Sequence, residues 1–135
     1  MARFFFFTYL GLVVLAGAWG MIGYVNIEFK MLMELDLHSL DERSRINMLS
    51  QYRFLRGLEM GFGIWALTFR DEIFHHQKWN VLFLFAMGMG IFGRISSWLL
   101  DGSPNWPSMF FLFYEAIGWL IIFVHTRKTL SHAYR

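Results

Sequence analysis

The sequence has no cysteine, only two prolines and few charges. Without thiols there is no disulfide framework, thiolate metal site, cysteine nucleophile or iron–sulfur cluster. Charged residues make up 16% of the 135, against about a quarter in a soluble domain. No Lys/Arg run tracks a phosphate backbone, so DNA and RNA are excluded as partners. No glycine loop leads into a basic residue as a phosphate cradle would, which leaves nucleotide binding without support. What the chain has instead is apolar bulk. It is 56% hydrophobic and 20% aromatic, with sixteen Phe, and its mean hydropathy is +0.41. These values describe an integral membrane protein, and the length permits one domain.

Four apolar stretches are long enough, or nearly so, to cross a bilayer: residues 4–25, 52–69, 79–100 and 108–124. The predicted fold is therefore all-α, a four-helix transmembrane bundle within a single domain, 1–135. Trp79, Trp98 and Trp106 stand near span ends, where interfacial aromatics belong. A cleaved signal peptide is the rival reading of the first span, with Arg3 as its basic region and Ala16-Gly17-Ala18 as the cleavage site. The apolar run continues past Ala18, which argues against it.

Four spans place both termini on one face. That face holds Arg3, Arg70, Lys78, Arg127, Lys128 and Arg135, against Lys30, Arg43, Arg45 and the borderline Arg53 on the other. The bias puts the termini in the cytoplasm of a bacterial inner membrane. Residues 26–51 form the one sizeable outer segment. Within it, Ser39-Leu40-Asp41-Glu42 matches a capping box, so the second helix is expected to start near Leu40 and to protrude before it enters the bilayer. Residues 26–37 mix acids with Met, Leu, Ile and Phe in an ambiguous period, as a surface-lying stretch or a lid would. Residues 101–107, which hold both prolines, form a tight outer turn.

Charges inside the spans are the candidates for function. Each costs ~2.5–3.5 kcal/mol near a bilayer centre, so each needs a reason to be there. At ~1.5 Å per residue, Arg56 lies ~6 Å and Glu59 ~10 Å below the outer end of the second span. Arg94 lies ~9 Å below the end of the third span, and Glu115 ~10 Å below the start of the fourth. Three antiparallel helices thus deliver two cations and two anions to one slab of the outer leaflet. Helical periodicity places Tyr52 with Arg56 and Glu59, and places Ser97 and Asp101 with Arg94. The expected ligand-binding set is Arg56, Glu59, Arg94, Glu115, Asp101, Ser97 and Tyr52, around a pocket for a lipid headgroup, an anion or a carboxylate-bearing molecule.

The competing reading makes the same charges interhelical fasteners in an accessory subunit of a larger membrane complex. Proton relay is a weaker variant, because two permanently charged arginines hold both glutamates ionised. His75, His76, His125 and His132 invite a haem or metal reading, but no Asp/Glu–His spacing accompanies them in a span, so no metal or cofactor is expected. Ser96 and Ser97 have no histidine base in the same leaflet, which removes a serine hydrolase. Lipid chemistry by the acids and arginines is the remaining enzymatic option. The chain is read as non-enzymatic, with membrane lipid as partner and with a membrane-protein partner or homo-oligomer as the further expectation.

Arg53 or Arg56 followed by Gly57, Gly61 and Gly63, then "GIFGRISSWLLDG", then a lone Glu in the last span, resembles a known group. It is the small four-span bacterial membrane proteins grouped as domain of unknown function four-three-four-five. The resemblance covers roughly residues 45–127 and, weakly, the first helix. It implies Arg94, Asp101, Gly102 and Glu115 as polar positions and Gly57 and Gly61 as packing positions, while Glu59 falls outside the skeleton. It implies the fold and no activity. A more distant similarity to DoxX-like proteins is one of size and span count.

Overall fold

The computed structural model describes residues 1–132; Arg135, counted above among the basic residues of the termini face, and the His132 side chain, named above in the metal reading, fall outside the described part. Among the described residues there are six α-helices and no strand. They are α1 (Ala2–Ile22), α2 (Asn26–Met33), α3 (Glu42–Thr68), α4 (Arg70–His75), α5 (Gln77–Asp101) and α6 (Trp106–His132), with a single 3-10 turn at Leu37–Ser39. The helix count therefore exceeds the expected four. One reason is that residues 26–33 are helical, which their sequence period left open. The other is that the chain breaks at Phe69 and His76, which cuts α4 out of the connection between α3 and α5.

Among the described residues, three helical segments are long and apolar enough to cross a membrane: Ala2–Ile22, Gln77–Asp101 and Trp106–Leu130. Helix α3 is as long as α6. It is less apolar because Arg43, Arg45, Arg53, Arg56 and Glu59 occupy its first two thirds.

The chain divides into two compact units. The first comprises Met1–Tyr9 with the residues from Ala66 onward. Its core is aromatic: the Phe6 ring meets Phe74 at 5.1 Å and Phe83 at 5.2 Å, and Ile73, Met87, Leu112 and Ile122 are buried. The buried polar residues of this unit, Asn80 and Thr126, are matched, as burial in a medium without water requires. Asn80 donates through Nδ2 to the Ile73 carbonyl at the end of α4 and accepts from Thr126 Oγ1, tying α4, α5 and α6 together. Trp119 Nε1 donates to the Leu84 carbonyl at 2.8 Å, a second tie between α5 and α6.

The turn between α5 and α6 depends on two local devices. Gly102 has φ +105°, a conformation that disfavours any side chain, and Asn105 Oδ1 accepts the Ser108 amide to cap α6.

The second unit is Leu10–Trp65. Helix α1 ends at Ile22, and Arg53 reaches from α3 to donate to the Met21 and Gly23 carbonyls. Those are acceptors that a helix C-terminus leaves unsatisfied, and the cation also suits the negative end of the dipole. The chain then folds back. Val25, Phe29, Leu37 and Tyr52 form a small core with Leu35, Leu40, Met48 and Leu49, and it seats α2 against the N-terminal part of α3. The Phe29 and Tyr52 rings meet at 4.7 Å between centroids, tilted by 60°.

The start of α3 differs from the expected capping box. Ser39 Oγ turns back to donate to the Asp36 carbonyl, Leu40 is extended, and Asp41 caps the helix by accepting the Ser44 amide at 3.1 Å. Hydrogen bonds from the Ser44 side chain and amide hold the Asp41 carboxyl below its ordinary range.

Candidate functional site

The anticipated charges form two clusters, one in each unit. In the second unit, α3 presents Tyr52, Arg56 and Glu59 at three- and four-residue spacing, so all three lie along one face. Arg56 uses all three of its nitrogens. Its Nε donates to the Tyr52 hydroxyl at 2.8 Å, Nη1 donates to Glu59 Oε2 at 2.7 Å, and Nη2 donates to Glu28 Oε1 on α2. The guanidinium carbon also stands 4.9 Å from the Tyr52 ring centroid. The side chains of Arg56 and Glu28 are only 14% and 13% exposed, while Glu59 is 42% exposed. One cation therefore faces two carboxylates, and each of its nitrogens has an acceptor.

The backbone of α1 is shaped to receive this cluster. A Cβ placed on Gly20 would come within 2.5 Å of Arg56 Cγ, and one on Gly17 would lie 2.8 Å from the Arg56 carbonyl oxygen. Neither glycine had been singled out from sequence, and neither had Glu28. The signal for Glu28 was an arithmetic one. Arg53 and Arg56 stand together near the outer end with Glu59 as their one nearby acid, and a short apolar segment carrying Glu28 follows α1 closely.

In the first unit, Arg94 on α5 holds Glu115 on α6, with Nε at 3.1 Å from Oε2 and Nη2 at 3.5 Å from Oε1. This is a side-on, two-point arrangement of a planar fork against a carboxylate. Glu115 is well covered, at 14% exposed, whereas Arg94 is 40% exposed. Arginine carries five N–H donors. Two are committed here, and Nη1 has no acceptor among the described residues. One turn further along α5, Ser97 Oγ donates to Asp101 Oδ2 at 2.9 Å, and both residues are exposed. A Cβ on Gly90 or Gly93 would meet nothing within 4 Å, so the backbone beside Arg94 is bare.

Of the seven residues expected at the site, Tyr52, Arg56 and Glu59 are thus brought together with Glu28. Arg94 pairs with Glu115, and Ser97 with Asp101. Each grouping closes within its own unit. Among the described residues no three His, Asp or Glu side chains gather in the manner of a metal site.

The "GIFGR…DG…E" positions are now accounted for physically: Arg94 and Glu115 pair, and Asp101 and Gly102 end α5. The sequence profile of the family described as Domain of unknown function (DUF4345) matches residues 2–125. The chain belongs to this family. The match takes in α1, well beyond the 45–127 over which the resemblance was read, so the Gly17 and Gly20 face lies inside the family's domain. No curated protein and no solved structure matches the chain.

Proposed function

We propose that this DUF4345 protein is a small, non-enzymatic protein of a bacterial inner membrane that binds the polar headgroup of an amphiphile at the outer end of α5. In this reading α3 is a fourth span, entering with its charges already matched. Both termini face the cytoplasm. The observation that carries the proposal is the half-engaged guanidinium of Arg94, with Nη1 lacking an acceptor.

Seven residues separate Arg94 from the end of α5 at Asp101, or ~10 Å of rise. A long side chain at that depth extends toward the interface, where phosphate oxygens are the available acceptors. The order along the helix fits a zwitterionic headgroup, with phosphate at Arg94 and ammonium at Asp101. Arg56 is a poor anion site by comparison, because a second carboxylate already faces it.

Thermal shifts in detergent test the reading. Zwitterionic phosphatidylcholine is expected to stabilise the wild type and to have little effect on Arg94→Ala. Inorganic phosphate serves as the soluble arm, and an equal response to it would redirect the site to small anions. Identical responses of wild type and Arg94→Ala to every lipid would overturn the proposal.

A second reading is favoured by the closed cluster around Arg56. With its three nitrogens engaged and glycines cut away to admit it, that cluster suits a fastener in an accessory subunit of a larger complex. Native mass analysis from mild detergent decides this: co-purifying membrane protein supports it, and a lone monomer speaks against it.

A further inference from the structure

At the opposite end of the first unit, the start of α1 and the second half of α6 line an open groove of about 430 Å³. Ala2, Leu120, Ile121 and Val124 make its walls apolar, His125 and Lys128 stand at its mouth, and no acidic residue among the described ones lines it. The basic character extends past the lining. The Arg3 guanidinium lies over the Phe74 ring at 5.7 Å, and His125 meets the edge of the same ring at 6.2 Å. Arg3, His125 and Lys128 are all exposed.

We infer that this groove holds one anionic phospholipid, an acyl chain along the apolar walls and the phosphate at the basic mouth, in the leaflet on the side of the termini. Three observations argue for that occupant over others. The groove runs from Lys128 to Leu120, eight residues or ~12 Å along α6, so it descends from headgroup level into hydrocarbon as an acyl chain does. Its wall side chains are hydrocarbon, which gives a peptide backbone no side-chain partner, whereas a lipid tail needs none. Its mouth carries basic groups alone, and basic residues near a membrane surface favour anionic over neutral headgroups. The inference rests on the membrane reading above, but not on the Arg94 site, which lies at the other end of α5, nor on which way the chain faces.

The test uses the full chain in nanodiscs, with native mass spectrometry to count retained lipids. Phosphatidylglycerol is expected to be retained over phosphatidylcholine by about fivefold per basic group engaged. Lys128→Gln should bring the ratio down by about that factor. Val124→Trp, which fills the groove, should remove the retained lipid of either kind, and if that variant does not fold, Lys128→Gln alone carries the test. Glycerol phosphate added to phosphatidylcholine discs should not be retained.

Equal retention of the two lipids by the wild type, or an unchanged ratio in Lys128→Gln, overturns the inference. So does retention of glycerol phosphate, which would make the mouth a soluble-anion site, or a lipid-free dimer, which would put a second copy in the groove. Arg94→Ala read in the same discs separates the two claims. A surviving Arg94-dependent response with no groove preference sinks only the groove, and failure of the chain to remain in the discs sinks the membrane reading itself.

Discussion

The arginines at positions 56 and 94 were expected to play the same part, yet their surroundings differ in almost every respect that matters. Arg56 is shielded by α2 and α3, faces Glu28 and Glu59, and gives a bond from each nitrogen. Arg94 is 40% exposed, faces Glu115 alone, and leaves Nη1 without an acceptor. Identical residue types thus provide a closed joint in one unit and an open donor in the other. Counting charges by depth cannot tell these apart. The number of acceptors around each guanidinium does.

Substitutions can widen or collapse that difference, and the largest effect belongs to the closed joint. Arg56→Ala strands two carboxylates, one of them deeply covered, and should cost ~3–5 kcal/mol in denaturation measurements. A loss no greater than that of Glu115→Ala would show that the joint is not closed. Next is Gly20→Ala, whose Cβ would press on Arg56 Cγ at 2.5 Å. Arg56 is pinned by three partners and cannot swing away, so ~1–3 kcal/mol is expected by the same measurement.

Glu115→Ala removes one partner from an arginine that can still reach the interface. The expected loss is ~0.6–1.7 kcal/mol, within the range for interhelical polar contacts in membranes. Replacing Arg94 with Leu and Glu115 with Met together should be milder still. If single and double variants melt alike, the two groups are not coupled.

The smallest effect concerns the α3 start. Asp41→Ala should fray the first turn, seen as faster exchange of the Ser44 amide, whereas Ser39→Ala should not. Acid should mimic the first change. The folded-state pKa of Asp41 lies below its unfolded value, so the cap is present above that value and is lost as pH falls through the folded one.

These differences also mark where sequence reasoning reached its limit. Helices α1, α5 and α6 were legible because apolar runs of 17 to 22 residues, each broken by at most one charge, have few other uses. The Arg94–Glu115 pair was legible because two helices joined by a short turn bring equal depths together. Glu28 was not, because its contact with Arg56 depends on α2 folding back over a core made by Phe29, Leu37 and Tyr52, residues far apart in sequence. The α3 cap was misplaced because two overlapping patterns, Ser39 with Glu42 and Asp41 with Ser44, compete over the same residues. The extended conformation of Leu40 decides between them. Gly17 and Gly20 looked like ordinary membrane-helix glycines until the atoms opposite them were known.

The contrast between the two arginines is tested most directly by nitrogen–phosphorus distance measurement, using solid-state NMR on arginine-labelled protein in phospholipid bilayers. A charge-assisted bond to a headgroup places phosphorus about 4 Å from the donating nitrogen. The expected result is strong dephasing of an arginine signal that disappears in Arg94→Lys, with none from Arg56. Dephasing of Arg56, or none from Arg94, would contradict the account.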